Sequence, residues 1–222
     1  MNLRIEKIAD MVNQGVIAAD IGTDHAFLPI LLIQKNKAEK VYACDISEGP
    51  LLAAQRNIAR YGYTEKIPTI LCNGFEGIPD DIECAVIAGM GYYTAAMILE
   101  NAMGRLSKLK QIIVEVNRNT ADMRRWISDH HFTIDQEVLI TDRGFDYIGV
   151  SFHTAYHEPL SEEEILCGTE LLRKQEGYID YCQRQIDQIE MILGKYKKED
   201  ERKAHLQSDL KLWVQAQEKT RN

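Results

Sequence analysis

The 222-residue chain has no long apolar run, no C-x-x-C pair, no G-x-G-x-x-G loop and no excess of positive charge. Each absence narrows the field. A membrane-spanning helix needs a run of about eighteen apolar residues, so no membrane association is expected. The amino end, Met1-Asn2-Leu3-Arg4-Ile5-Glu6-Lys7, is too charged for the apolar stretch of a secretory signal, and a cytoplasmic protein is expected. The five cysteines (Cys44, Cys72, Cys84, Cys167, Cys182) are odd in number and show no metal-ligand spacing. They are expected to be free thiols, with no metal site. Net charge is −8, with 20 acids and 15 bases up to His157 and 14 acids and 11 bases after it. Neither part is basic, so any nucleic-acid contact must come from local patterning rather than bulk charge. Without the glycine fingerprint, backbone amides cannot cradle a dinucleotide pyrophosphate, which makes an NAD oxidoreductase the weakest enzyme reading.

What is present is a globular composition, 45% hydrophobic and 27% charged, long enough for one domain and an appendage. The chain is organised around Val16-Ile17-Ala18-Ala19-Asp20-Ile21-Gly22-Thr23-Asp24-His25. Val16 to Ala19 are apolar without alternation, which suits a strand covered on both faces. The strand ends in an acid, Gly22 permits close approach of the backbone to a ligand, and a helix over Ala26 to Ile33 turns its positive end toward the strand tip. A second apolar segment, Lys40 to Cys44, ends in Asp45. Strand, glycine turn, helix, strand and acid is the layout of a nucleoside-cofactor fold, with Asp45 placed for a ribose. Asp24 stands where a further glycine is usual. Its carboxylate would repel a pyrophosphate and suits a cofactor bearing an ammonium and a sulfonium, so S-adenosylmethionine is favoured over NAD. Asp24 is also a candidate N-cap for the helix that follows.

The remaining elements follow in order. Asn2 to Val12 has helical spacing, with Arg4 and Lys7 on its polar face. A helix from Ser47 to Tyr61 carries Arg56 and Arg60 and closes at Gly62. Further strands are expected at Ile67 to Cys72, Ala85 to Ala88 and Gln111 to Val116. They are followed by Asn73-Gly74, by Gly89-Met90-Gly91 and by Asn117-Arg118-Asn119. A helix from Thr120 to His130 carries Arg124, Arg125 and Trp126. Phe132 to Thr141 and Tyr147 to Thr154 read as a hairpin about Arg143-Gly144. The prediction is an α/β, Rossmann-like, seven-stranded sheet, mostly parallel with one antiparallel strand. Ligands in such sheets lie beyond the carboxyl ends of the strands, which collects Asp20 to His25, Asp45, Asn73-Gly74, Gly89 to Gly91 and Asn117 at one edge. After Pro159 the pattern becomes helical. A capping box at Ser161 opens a long helical stretch with Ile165, Leu166, Leu171 and Leu172, and a charged bend (Lys195 to Lys203) leads to a last helix. This predicts residues 1–157 as the sheet domain and 158–222 as an antiparallel helical arm, either a lid, a dimer seam or a substrate arm. A monomer and a weak dimer both fit.

With these residues laid out, the chain resembles the bacterial tRNA (adenine-22-N1)-methyltransferases. The sharpest parts are Asp20-Ile21-Gly22-Thr23-Asp24-His25-Ala26-Phe27-Leu28-Pro29-Ile30 and Ile87-Ala88-Gly89-Met90-Gly91. The resemblance implies a class I S-adenosylmethionine domain with a carboxyl-terminal coiled-coil-like helix pair, and tRNA as the partner. It implies that the cofactor meets Asp20, Gly22, Thr23, Asp24 and His25, then Asp45 and Ile46 at the ribose, Asn73 and Gly74 at the adenine, and Ala88, Gly89 and Met90 beside the methyl donor. The chain departs from the family pattern at three places. Asn73 stands for an aspartate in Gly-Asp-Gly, Tyr92 for the last glycine of Gly-Met-Gly-Gly, and Glu115-Val116 for Gln-Pro before Asn117. Methyl transfer to N1 needs no strong base, because N1 already carries a lone pair; it needs in-line placement. Asn117 is the candidate catalytic residue at the adenine edge. Gly91 and Tyr92 are candidates for the target base, and Arg56, Arg60, Arg118 and Arg124, with Arg4, Lys7 and Arg125, for tRNA phosphates. A small-molecule methyltransferase, or a binding module without turnover, are the alternative functions.

Overall fold

The computed structural model describes residues 2–221. Its seven strands are β1 (Val16–Ile21), β2 (Ala38–Asp45), β3 (Thr69–Leu71), β4 (Cys84–Met90), β5 (Gln111–Val116), β6 (Phe132–Asp142) and β7 (Phe145–Tyr156). They form one sheet in the order β3-β2-β1-β4-β5-β7-β6. All pairings are parallel except those of β7, which runs antiparallel to both β5 and β6. The expected single reversed strand is therefore β7. Its hairpin loop is Arg143 (φ 51) and Gly144 (φ 82), the left-handed pair that a two-residue connection requires.

The apolar runs of the central strands reflect cover on both faces. Ala18 points into a core with α1 (Leu3–Met11), α2 (Phe27–Gln34) and α3 (Glu48–Tyr61). Ala19 and Ile21 point into the opposite core, with α4 (Tyr92–Asn101), α5 (Met103–Leu106) and α6 (Thr120–Asp129). Every residue of β5 is buried. Its first residue, Gln111, is polar but satisfied: the amide donates to Met11 O and Ser151 Oγ and accepts from the Asn13 N–H.

The carboxyl-terminal helices are α7 (Glu162–Cys167), α8 (Glu170–Arg173), α9 (Tyr178–Lys195) and α10 (Glu201–Arg221). α9 and α10 form the antiparallel pair, with Tyr181 edge-on to Trp213 at 5.4 Å and Gln217 donating to Ile179 O. Their apolar residues, among them Cys182, Ile186 and Trp213, join the same core as α4 and α6. No helix among the described residues is long and apolar enough to cross a membrane.

Four expectations change. The helical stretch from Ile165 is broken at Gly168 (φ 97) and Gly177 (φ 82), whose left-handed backbone ends one turn and starts the next. The strand expected over Ile67 to Cys72 shrinks to three residues. Pro68 has no N–H to donate, so its stretch meets β2 through carbonyls, Lys66 O accepting from Val41 and Pro68 O from Ala43. α2 begins at Phe27 after left-handed Ala26, so Asp24 does not cap it. Arg124 is not a phosphate contact. It is 1% exposed, and its Nε donates to Glu137 Oε1 at 2.6 Å while Nη1 donates to Ile165 O at 3.1 Å. The other Glu137 oxygen accepts from Thr169 N and Oγ1. This buried cluster ties α6 and β6 to the helices that follow.

Candidate functional site

β1, β2, β4 and β5 end side by side, so their carboxyl-terminal residues share one edge. Asp20 pairs in register with Ala43 on one side and Val86 on the other. It is 6% exposed, and burial pushes its carboxyl up to about pKa 6, against the Thr23 hydroxyl and with the charges of Asp45 and Asp24. The Thr23 hydroxyl is itself buried and makes no hydrogen bond of ordinary geometry, although it lies close enough to Asp20 to temper that shift. The turn between them is fixed by Gly22 and Thr23, whose N–H groups both donate to Cys44 O at 2.8 Å. Gly22 has φ 84, and a Cβ built there would lie 2.1 Å from Met90 Cε. Only glycine lets the β1 and β4 tips close on each other this way.

Beyond the turn, the Asp24 and His25 side chains are open to solvent and within 3.3 Å of each other. His25 and Ala26 are both left-handed, and the His25 ring stacks on Phe27 at 5.5 Å. At the β2 tip, Asp45 Oδ1 accepts the Ser47 N–H at 2.8 Å and Ile46 is exposed. Asn73 and Gly74 line a separate hollow with Phe75, Ile98 and Arg105, over α4 and α5.

The β4 and β5 tips are knitted together. Gly89, with φ 80, donates its N–H to Glu115 Oε2 at 3.0 Å, and its carbonyl accepts from Asn117 Nδ2 at 2.8 Å. Asn117 Oδ1 accepts from Arg4 Nη1 at 3.3 Å. One N–H and one lone pair of the Asn117 amide remain free for an outside partner. Arg4 lies 3.4 Å from Glu115 Oε2 and over the Tyr147 ring at 5.1 Å. Glu115 is fully buried, its Oε1 has no partner, and burial raises its pKa against the Arg4 charge and the Gly89 N–H. Asp20, Gly22, Asp24, Ala88, Glu115 and Arg4 line one cavity of about 190 Å³.

A scan of known families matches residues 1–148 to a methyltransferase domain. The tRNA (adenine(22)-N(1))-methyltransferase of Bacillus subtilis (strain 168) is 30% identical over 148 residues, which is 66% of this chain and 62% of that enzyme's length. Among solved structures, Sp1610 of Streptococcus pneumoniae superposes with a TM-score of 0.90 at 29% identity, covering 98% of this chain and 99% of that one. TrmK of M. capricolum, in complex with S-adenosyl-homocysteine, gives a TM-score of 0.87 at 29% identity, with 98% of each chain covered. The chain belongs to this methyltransferase-domain family, with tRNA methyltransferases among its relatives.

Within this methyltransferase the sequence-derived residues fall in several places. Asp20, Gly22, Thr23, Asp24, Asp45, Ala88, Gly89, Met90 and Asn117 gather at the strand tips. Arg56 and Arg60 are exposed on α3, roughly 12 and 18 Å along the helix from its start at the β2 tip. Arg118 is exposed at the mouth of a second, larger cleft between the β5 tip and α9, shared with Asn119, Gln185 and Gln188. Gly91 is the N-cap of α4, and Tyr92 opens it. The Tyr92 ring packs against the α4–α6 core, and the acids raising its hydroxyl pKa after burial include Asp122 and Asp129 of α6. It does not line the cavity with Asp20, so the residue that replaces a family glycine leaves that cavity open. On the sequence alone Arg4 is a candidate phosphate contact and Glu115 only a departure from the family pattern. A lone charge inside the otherwise uncharged strand Gln111–Val116 was the available signal, because buried carboxylates need partners.

Proposed function

We propose that this protein transfers a methyl group from S-adenosylmethionine to N1 of adenine 22 in tRNA. The donor set fits that cofactor. A buried carboxylate at the β1 tip, an orphaned threonine hydroxyl beside it and a glycine turn closed by Met90 suit a cationic, close-packed ligand better than a phosphate. When bound, the cofactor supplies the methyl group from its sulfonium. Asp20 and Asp24 then face its cationic groups, Asp45 its ribose, and Asn73 with Gly74 its adenine. His25 and Ile46 flank these contacts.

The target adenine needs orientation rather than activation. Asn117 holds its edge with the free N–H and lone pair of the amide, and the glycines at 89 and 91 leave room for a planar base. Positive charge passes from sulfur to adenine, so carboxylates and carbonyls around the site favour the transition state. N1 lies on the pairing edge, and a paired target base must leave its stack first. Residues 1–157 act as the catalytic unit. Residues 158–222 act as an arm whose cleft, with Arg118 at its mouth, faces the rest of the tRNA. Arg56 and Arg60 add more distant phosphate contacts. The protein works in the cytoplasm.

The observation that carries this reading is the clustering of Asp20, Gly22, Gly89 and Asn117 at one sheet edge. Transfer of labelled methyl from S-adenosylmethionine to tRNA, followed by nucleoside analysis, tests it. N1-methyladenosine is expected from tRNA with adenine at position 22, and none when that base is guanine. A labelled small metabolite with unlabelled tRNA, or binding without any turnover, would overturn it.

A further inference from the structure

The β6–β7 hairpin turns at the same sheet edge as Asn117, because β6 and β5 are both antiparallel to β7 and so run the same way. Arg143 and Gly144 make the turn, and Phe145 opens β7 with its ring 66% exposed. Extending the β5–β7 register beyond Glu115↔Gly149 sets Tyr147 opposite Asn117 and Phe145 two residues, about 7 Å, farther out. The side chains agree, since Arg4 donates to Asn117 and lies over the Tyr147 ring. Phe145 lines two hollows. One, of about 450 Å³, it shares with Arg4, Asp142, Arg143 and Tyr147. The other is the cleft it shares with Asn117, Arg118 and Asn119. Arg118 and Arg143 are exposed and have no acidic partner among the described residues. The other charges here are engaged: Asp146 accepts from Arg184 Nε and Nη2 at 2.7 and 2.8 Å, and Glu115 faces Arg4. That leaves Asp142 alone against two free guanidinium groups. The fold gains little from this arrangement, as the ring buries little apolar area and the arginines make no ion pair. An exposed ring between unpaired arginines is the pattern of a surface for single-stranded nucleic acid, with the ring on a base and the arginines on phosphates.

We propose that Phe145 stacks on the nucleobase next to the target adenine in tRNA, with Arg143 and Arg118 on the flanking phosphates. Asn117 holds the edge of the target, so a ring about 7 Å beyond it meets the next nucleotide of the strand. Extruding the target strips that neighbour of a stacking partner, and the ring covers the face laid bare. Stacking tolerates every base, so the contact grips the strand without reading its sequence. A two-residue turn holds the ring rigidly in place, which lowers the ordering cost of binding.

The inference rests on the tRNA reading above, and binding measurements separate the two. Full-length tRNA with adenine at position 22 is titrated by filter binding against protein saturated with S-adenosylhomocysteine. Phe145→Ala is expected to weaken tRNA binding about 5- to 100-fold, the range of one base stacked on an aromatic ring. Phe145→Trp should keep the affinity, and Phe145→Leu should lose as much as alanine, since leucine fills the space without a π face. Arg118→Ala and Arg143→Ala should each reduce the slope of log affinity against log salt by about 1, whereas Phe145→Ala leaves it unchanged. Affinity for S-adenosylhomocysteine should be equal in every variant, which shows that each is folded. An abasic residue immediately before or after adenine 22 should make Phe145→Ala silent. Wild-type affinity in Phe145→Ala, or full rescue by leucine, overturns the role of Phe145. A penalty that survives both abasic tRNAs overturns the neighbour assignment, and unchanged salt slopes overturn the phosphate contacts. Wild-type protein that binds no tRNA overturns the tRNA reading with them.

Discussion

Two glutamates are fully buried among the described residues, each facing an arginine, and they are finished differently. At the junction with the carboxyl-terminal helices, Glu137 has partners on both oxygens, from Arg124 Nε and from Thr169 N and Oγ1. At the strand tips, Glu115 has one oxygen engaged and the other without a partner, and its arginine is partly exposed. At the junction the carboxylate is fully satisfied, although Arg124 Nη2 has no partner, whereas at the strand tips the carboxylate itself is left incomplete. The same two residue types thus make a fastening in one place and leave a carboxylate oxygen free in the other.

The largest effect expected concerns the fastening. Arg124→Ala strands Glu137 without its charge partner and should lower unfolding free energy by about 3–5 kcal/mol, read from urea titration. Arg4→Ala should cost about 1 kcal/mol or less, because Glu115 already has a raised pKa and can take up a proton. Equal losses in the two variants would erase the distinction.

Asp20 gives the next largest effect, through pH. Its folded pKa of about 6 lies above the ordinary 3.8. Protonation therefore favours the folded state, an advantage fully present below pH 3.8 and lost as pH rises through about 6. The difference amounts to roughly 3 kcal/mol. With Asp20 in its proposed contact, cofactor affinity runs the opposite way, since the ionised form would meet the ammonium or sulfonium. Affinity by calorimetry should be flat above neutrality and fall about tenfold per pH unit below pH 6. Asp20→Asn should bind weakly at every pH. A profile identical to wild type in that variant would show that another group titrates.

Gly22→Ala comes third. Its left-handed φ and the collision with the flexible end of Met90 should cost about 1–2 kcal/mol, and Met90 must swing into the cleft to relieve it. Cofactor affinity should fall more than thermal stability does. Glu115→Gln is the smallest, within about 1 kcal/mol in urea, since it removes a carboxylate whose burial is only partly compensated. A loss as large as that of Arg124→Ala would mean that Glu115 too is a fastening.

The strand tips were legible in the sequence because strand period, glycine turns and terminal acids are local signals. Asp20, Gly22, Asp45 and Gly89 needed only the rule that parallel strands bind at their carboxyl ends. The arginines were not legible in the same way. Arg124 and Arg125 are neighbours with equal polarity, yet Arg124 is sealed against Glu137 while Arg125 pairs with Glu162 at the surface. That choice is made by partners 13 and 37 residues away. Arg4 looks like a phosphate contact on a polar helix face for the same reason, its partners lying more than a hundred residues on. The broken helix after Ile165 had a signal in Gly168 and Gly177, but a glycine in an apolar periodic stretch does not by itself say whether the helix stops.

Both borders of the sheet are also closed to company. β3 offers only three residues. β6 is longer, but its pairing with β7 slips twice and it turns the charged Glu137 inward. Short borders, kinks and inward charges are the devices that prevent strand-by-strand polymerisation. A crowded solution of this protein therefore has no ready template for cross-β growth, and any stable contact it makes with another macromolecule must be built from helix surfaces and loops.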